Sequence, residues 1–228
     1  MHHEQLLAAS TLLLGTLTGV SAAPATSSSP VESRASSTQC WYGNAFPANS
    51  SWLSFDALFE KWRPTFITEG DTDEELQVMK EALQTYSQQA GVSPVLTTAM
   101  MIQESQGNTC RQCGDNGASC GLLQVRGAPN DCANKPHPCP DSSIRKAIQC
   151  GTVGCAGAYG TNIKNCVASE GSNWGAVARC YNTGSVTNPG DLRVAQWGDP
   201  KYVQLVASIL LGADNSKLNV LGGVLCGF

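Results

Sequence analysis

The chain has 228 residues, of which 42% are hydrophobic and 14% are charged. This composition supplies enough apolar material for a sizeable core and too little charge for a disordered chain. The formal net charge is −4 and no basic run occurs, which argues against nucleic acid as a partner, because phosphate binding requires clustered Lys and Arg. The same balance offers no overall electrostatic attraction to an anionic polymer.

The N-terminal segment predicts export. Residues 6–20 form an apolar run followed by the small residues Ser21, Ala22 and Ala23, which predicts a signal peptide over residues 1–23. The run is too short to span a bilayer, so no stable membrane insertion is expected. Residues 24–39 are rich in Ser and Thr and predict a flexible linker. A catalytic domain over residues 40–228, secreted and extracellular, is expected to follow.

Eleven cysteines follow the predicted signal peptide. In an exported protein they favour a disulfide framework, and their odd number leaves one thiol free or paired between chains. Zinc binding is the alternative, because Cys110 and Cys113 have ligand spacing and Cys120, Cys132 and His137 lie nearby. Disulfides are favoured because export oxidises thiols and no second C-x-x-C motif follows.

Capping signals and apolar periodicity predict a mainly α domain. The sequence Thr72-x-x-Glu75 is a capping box that opens a helix closed by Gly91, and Ser93-Pro94 starts a second helix that ends at about Ser105. The segment over residues 107–140 is rich in Gly, Asn, Asp, Pro and Cys, so any β structure should lie there. Four shorter helices are expected further on: Ser142 to Gln149, Ala156 to Cys166, a segment capped by Ser172 or Asn173 and ended by Gly184, and a segment from Asp199-Pro200 to Gly212.

Glu104 is a candidate catalytic residue. It follows Met100 by four positions and Leu96 by eight, so it projects from the same face as the buried stripe of the second helix. It also lies in the last helical turn, where the helix dipole is negative. Burial and the dipole both disfavour the charged carboxylate and should raise its pKa, as a glycosidase general acid requires. A surface Glu at a frayed helix end is the alternative.

Three motifs occur in order along the chain: Glu104-Ser105, then Gly121-Leu122-Leu123-Gln124, then Tyr181-Asn182-x-Gly184. This ordered set resembles the soluble lytic transglycosylase and goose-type lysozyme superfamily, family 23 of the glycoside hydrolases, over residues 91–212. The resemblance implies a lysozyme-like fold of the α+β class that is mainly α. We therefore expect a single helical domain with an irregular, disulfide-rich loop or a small β segment.

The resemblance also implies a role for each matching residue. Glu104 corresponds to the general acid, and Gln124 to the residue facing the sugar beside the scissile bond. Tyr181 corresponds to the residue that hydrogen-bonds and orients the catalytic carboxyl. Taken in isolation, Tyr181 is better interpreted as an ordinary core aromatic and Gln124 as an ordinary loop amide, and only the joint pattern favours the functional roles. The implied substrate-binding residues are Gly121, Leu122, Gln124, Tyr181 and Asn182.

Asp115 distinguishes between the branches of this superfamily. It lies six residues before Gly121, where goose-type hydrolases place Asp and transglycosylases usually place Ser. A second carboxylate can position and activate a water on the far face of the sugar, which inverts the anomeric centre. The alternative is that Asp115-Asn116-Gly117 is merely a turn, since all three residues favour turns. Goose-type enzymes carry a further acid two positions after the Gln, where this chain has Arg126.

Together with these residues, the resemblance implies a monomeric muramidase that cleaves the β-1,4 bond between N-acetylmuramic acid and N-acetylglucosamine in peptidoglycan, with no metal and no organic cofactor. One alternative is a lytic transglycosylase that forms 1,6-anhydro-muramyl products. Another is a chitin or chitosan hydrolase, which the acidic balance of the chain favours. The last is a secreted glycan-binding protein without activity, against which the intact Glu104, Gln124 and Tyr181 argue.

Overall fold

The computed structural model describes residues 40–41, 45–216 and 218. The predicted signal peptide over residues 1–23 and the predicted linker over residues 24–39 lie outside these ranges. Within them the chain forms seven α-helices and a two-stranded antiparallel sheet, so the predicted mainly α fold is confirmed. The helices are α1 (Phe55–Thr68), α2 (Asp73–Ala90), α3 (Pro94–Ser105), α4 (Asp141–Thr152), α5 (Ile163–Glu170), α6 (Trp174–Thr183) and α7 (Tyr202–Leu210).

Local sequence signals determine where α2 and α3 begin and end. The predicted capping box is present: the Thr72 hydroxyl accepts from the Glu75 N–H at 3.2 Å, and the Glu75 carboxylate accepts from the Thr72 N–H at 2.8 Å. Gly91 ends α2 with a φ of 74°, a conformation that glycine adopts without steric cost. The Ser93 side chain accepts from the Val95 N–H and starts α3. The predictions for both helices are confirmed.

Helix α3 lies at the centre of the core. It packs against α1, α2 and α7, and its residues from Val95 to Ile102 are all buried. Side chains that point in every direction around this helix therefore contact other helices, and burying one Leu or Met contributes about 1.5–3 kcal/mol. The end of α3 is consequently a well-supported place for a functional residue.

The small sheet lies in the irregular segment over residues 107–140, as predicted. Strand β1 (Ser119–Cys120) pairs with β2 (Val125–Arg126), with Ser119 opposite Arg126 in the register. The two strands form a ribbon beside α4, which contacts β2. The ribbon is short because the chain turns sharply between its strands, with positive φ at Gly121 and Gln124.

Helix α1 is absent from the sequence prediction. It begins after Ser54, whose hydroxyl accepts from the Ala57 N–H at 3.2 Å. It then continues through Pro64, a residue that normally ends or kinks a helix. The buried residues Leu58, Trp62 and others on this helix pack into the core, and this tertiary burial outweighs the local cost of the proline.

The helix predicted over residues 156–166 is wrong in its first half, because α5 starts at Ile163. Gly157 has a φ of 88°, which a right-handed helix does not allow. The backbone N–H groups of Tyr159 and Gly160 donate to the Arg126 carbonyl instead of to a preceding turn. The loop before α5 is therefore attached to β2.

The expected disulfide framework is confirmed. Cys40 is disulfide-bonded, and Cys110 is a buried, free thiol. The zinc alternative is wrong for the predicted ligand set, because three of its cysteines are in disulfides. Four disulfides lie wholly among the described residues: Cys113–Cys120, Cys132–Cys139, Cys150–Cys155 and Cys166–Cys180. In the same part of the chain, no helix combines the length and apolarity needed to cross a membrane.

Candidate functional site

A groove of about 1410 Å³ lies between the end of α3, the β1–β2 ribbon and the end of α6. Pockets of roughly 300–1,000 Å³ hold a drug-sized molecule, so this groove has room for several units of a polymer. Of the predicted site residues, five line it together: Glu104, Asp115, Gln124, Tyr181 and Asn182.

Glu104 lies in the last turn of α3 and is partly buried at the groove. Burial raises the pKa of its carboxyl from 4.5 to about 8, and the charge of Asp115 adds to this increase. The Tyr202 hydroxyl opposes the increase, although its geometry falls short of a regular hydrogen bond. Glu104 therefore carries a proton at neutral pH, which is the state a general acid needs.

The chain turns away from the helix directly after Glu104. Gln106 and Gly107 have φ values of 57° and 80°, and a Cβ at Gly107 would lie 2.3 Å from the Phe66 ring. The buried Ser105 hydroxyl donates to the Met101 carbonyl at 3.1 Å and accepts from the Gly107 N–H at 3.2 Å. Ser105 thus helps to end α3, and only glycine fits two positions later.

Tyr181 reaches the groove from α6. Its buried hydroxyl donates to the Leu123 carbonyl at 2.6 Å, which ties α6 to the turn between the strands. Burial and the neighbouring Glu104 charge raise the pKa of Tyr181. Because the hydroxyl proton is donated to the Leu123 carbonyl, Tyr181 lies near Glu104 without donating a hydrogen bond to it. This differs from the orienting hydrogen bond that the resemblance implies.

The turn between β1 and β2 is placed differently from the expectation. Gln124 lines the groove, but its amide oxygen accepts from the Gly114 N–H at 2.8 Å and its amide nitrogen donates to the Gly121 carbonyl at 2.9 Å. It therefore braces the neighbouring loop. Leu122 is fully buried in the core, and Gly121 faces Ala147 of α4. Neither Gly121 nor Leu122 lines the groove, which corrects their assignment as substrate-binding residues.

Asp115 is exposed and lies in a short 3₁₀ turn, Asp115–Gly117. Its carboxylate accepts from the Ser119 hydroxyl at 2.6 Å. The Cys113–Cys120 disulfide and backbone hydrogen bonds between Gly114 and Ser119 close the same loop. The turn interpretation therefore describes the local structure, and this turn brings the carboxylate into the groove with Glu104.

Arg179 is a fully buried residue that sequence reasoning missed. Its guanidinium donates to the Asn182 side-chain oxygen at 2.8 Å, and this oxygen also accepts from the Asp199 N–H at 3.0 Å. Asn182 thus joins α6 to the segment that carries Trp197. A charged residue within the apolar stripe of α6 is the signal that could have found it. The carbonyl acceptors of Arg179 are those of Leu192, Asp199 and Pro200.

Two large aromatic side chains at the groove are exposed, Tyr159 by 73% and Trp197 by 72%. Exposed apolar surface that borders a groove commonly marks a ligand site. Local sequence gives little warning of either residue, because both lie in loops that fold back onto the groove. Tyr202 is the third aromatic side chain that sequence reasoning left out of the site, and it is buried beside Glu104.

A second polar cluster lies between α2 and the irregular segment. Donor atoms of Glu75, Cys110 and His137 lie within 4.8 Å of one another, and sulfur, nitrogen and oxygen donors of this kind can hold zinc. The Glu75 carboxylate already accepts from the backbone N–H groups of Thr72 and Cys139 and contacts the His137 ring at 3.0 Å. The protein itself therefore satisfies this carboxylate, and we assign the cluster a structural role.

Comparison of the chain with known protein families, with curated proteins and with solved structures found no match. The chemistry of the groove itself is therefore the guide to function. Its distinctive feature is a pair of carboxylates in unlike surroundings, with Glu104 partly buried and Asp115 exposed.

Proposed function

We propose that this protein is a secreted, lysozyme-like glycosidase related to the goose-type lysozymes and lytic transglycosylases. It hydrolyses the β-1,4 bond between N-acetylmuramic acid and N-acetylglucosamine in peptidoglycan. The observation that carries the proposal is the open groove in which Glu104, with a pKa of about 8, lies together with the second carboxylate of Asp115. Most glycosidases use two carboxyl groups in this way.

Glu104 is the general acid in this mechanism. It donates its proton to the glycosidic oxygen as the bond from that oxygen to the anomeric carbon breaks and positive charge develops on the sugar ring. The carboxylate left behind is partly buried, which favours its return to the protonated form below about pH 8. Glu104 is then ready for the next cycle.

Asp115 is the general base. It accepts a proton from a water that attacks the anomeric carbon on the opposite face, so the configuration of that carbon inverts. The Ser119 hydroxyl holds one carboxylate oxygen at 2.6 Å and leaves the other oxygen for the water. The two acids take different roles because their surroundings differ, as in other enzymes with paired carboxylates.

Several features support an extracellular site of action. The predicted signal peptide directs export, and disulfides persist in oxidising compartments and are rare in the cytosol. Both carboxylates come from the same chain, so a monomer contains both acids that the mechanism needs.

Product analysis tests this proposal. The purified protein is incubated separately with peptidoglycan and with chitin, and products are identified by mass spectrometry and early-time NMR of the anomeric proton. We expect peptidoglycan fragments with reducing ends of α configuration and no products from the Glu104→Gln variant. Anhydro-muramyl products would identify a transglycosylase, and products from chitin alone would change the substrate. Binding to glycan without any cleavage would contradict the enzymatic proposal.

A further inference from the structure

Two arginines that line the groove have no ion-pair partner among the described residues. Arg111 lies in the loop after α3 and Arg126 lies on β2, and both side chains are exposed. Among the described residues, no carboxylate lies within 4.0 Å of either guanidinium. Arginines on other surfaces are paired with acids: Arg63 with Asp73, Arg145 with Glu81 and Arg193 with Asp191.

The charge of the groove differs in sign from that of the whole chain. The charged side chains that line it are Glu104, Asp115, Arg111 and Arg126. Since Glu104 is protonated at neutral pH, two positive charges face one negative charge. The complete chain has a net charge of −4. The groove is therefore more favourable to an anionic ligand than the net charge of the whole chain indicates.

Arg126 is held in place by its backbone. It lies opposite Ser119 in the ribbon, and side chains of such cross-strand partners project from the same face. Its carbonyl accepts from the N–H groups of Tyr159 and Gly160 at 3.0 and 3.1 Å. Because Ser119 also binds Asp115 and both Arg126 and Asp115 line the groove, Arg126 lies on the part of the ribbon that holds the second carboxylate.

We propose that Arg111 and Arg126 form an anion-binding part of the groove that recognises a carboxylate carried by the glycan. This inference rests on the proposed glycosidase function and adds a selectivity to it: carboxylate-bearing glycan is bound in preference to a neutral polymer of the same length. An arginine fork matches a carboxylate with two parallel hydrogen bonds, which a neutral hydroxyl cannot reproduce. The carboxylate belongs either to the lactyl group of a bare muramyl strand or to a peptide attached to that group.

Binding measured by calorimetry in the inactive Glu104→Gln background tests the inference without relying on turnover. The ligands are a bare muramyl oligosaccharide, the same oligosaccharide with attached peptides, and a chitin oligosaccharide of equal length. We expect each of the substitutions Arg111→Gln and Arg126→Gln to raise the Kd for carboxylate-bearing ligands about tenfold, and the Kd for chitin less than about twofold. Lys164→Gln, an exposed position outside the groove, is the control for net charge.

The same experiment distinguishes the sources of the carboxylate. An attached peptide converts the lactyl carboxylate into an amide, so a loss confined to the bare oligosaccharide identifies the lactyl group. A loss confined to the peptide-bearing ligand identifies a carboxylate of the peptide, and a loss with both ligands shows that the arginines bind either carboxylate. Methyl esterification of the carboxylates supplies a second measurement on a chain with both arginines, and we expect it to weaken binding about as much as the double substitution. Arginine variants that bind like Lys164→Gln, or esterified ligands that bind as well as free acids, would overturn the inference. Failure of the unsubstituted protein to cleave any glycan would instead refute the proposed function.

Discussion

The two acids of the groove are supported by two different kinds of structure. Glu104 ends α3, a helix that packs against three other helices. Asp115 lies on a short exposed turn in the irregular segment, where the Cys113–Cys120 disulfide and the Ser119 hydroxyl hold it. One support is built from buried apolar side chains, and the other from covalent and polar contacts.

This difference is consistent with the opposite roles that we propose for the two carboxyl groups. A packed helix can keep a side chain partly out of water, so burial keeps the proton on Glu104 up to about pH 8. A surface turn leaves Asp115 in contact with solvent, where a water molecule can reach its carboxylate. Substitutions in each region can therefore separate the two roles.

Removing the acid should have the largest effect. Glu104→Gln keeps the size of the side chain, but an amide cannot protonate the leaving oxygen, so kcat should fall by roughly 10²–10⁴-fold. Steady-state kinetics on peptidoglycan measure this change. Glu74→Gln, at an exposed position in the first turn of α2, should leave kcat unchanged. Activity of Glu104→Gln within about tenfold of the parent would contradict the assignment.

Removing the base should have the next largest effect. Asp115→Asn should lower the hydrolysis rate by about 10²-fold without a change in Tm, because the exposed side chain contributes little to the core. Asp131→Asn is the matched control, since Asp131 is an exposed acid in the same irregular segment and lies outside the groove. Undiminished hydrolysis by Asp115→Asn would remove this residue from the mechanism.

The raised pKa of Glu104 also predicts an effect on stability. The folded pKa of about 8 exceeds the ordinary value of 4.5, so the stabilisation from holding the proton is present below pH 4.5 and is lost as the pH rises through 8. Because glutamine does not titrate, the Glu104→Gln variant does not lose stability in this way as the pH rises. At pH 9 the free energy of unfolding of the variant should exceed that of the parent by on the order of 1–3 kcal/mol after allowance for partial exposure, which raises its Tm, whereas at pH 4 the two Tm values should be similar. An equal difference at both pH values would refute the shift.

Removing the Cys113–Cys120 disulfide, which closes the loop that contains Asp115, should have the smallest effect on activity. Replacing Cys113 and Cys120 together with Ser should lower kcat by about tenfold and stability by about 2 kcal/mol, because the turn loses its covalent closure. The matched control replaces Cys150 and Cys155, a loop of similar size outside the groove, and should lower Tm alone. Equal losses of kcat in both variants would show that the disulfide has no particular connection to the site.

The helical region could be predicted from the sequence because its signals are local. Thr72, Gly91 and Ser93 mark helix ends through backbone hydrogen bonds within a few residues, and the position of Glu104 follows from the helical repeat. Helix α1 could not be predicted in the same way, because Pro64 locally disfavours a helix, whereas the burial of Trp62 and its neighbours favours one. Such burial depends on distant parts of the chain.

The groove could be predicted only in part for the same reason. Five of the seven predicted residues line it, but the side-chain directions in the turn at Gly121 and Leu122 depend on packing against α4 and the core. Tyr202 comes from the last helix and meets Glu104 about a hundred residues away in sequence. The sequence identifies Arg126 as a departure from an acidic position, but only the pairing of β1 with β2 places it opposite Ser119, the residue that binds Asp115.

The central claim is that Glu104 supplies the catalytic proton, and the pH dependence of kcat/KM tests it most directly. We expect kcat/KM to fall tenfold per pH unit above a pKa of about 8, where Glu104 loses its proton. Because the Tyr202 hydroxyl lowers this pKa, Tyr202→Phe should move the descending limb to higher pH. A descending limb near pH 4.5, unaffected by Tyr202→Phe, would contradict the claim.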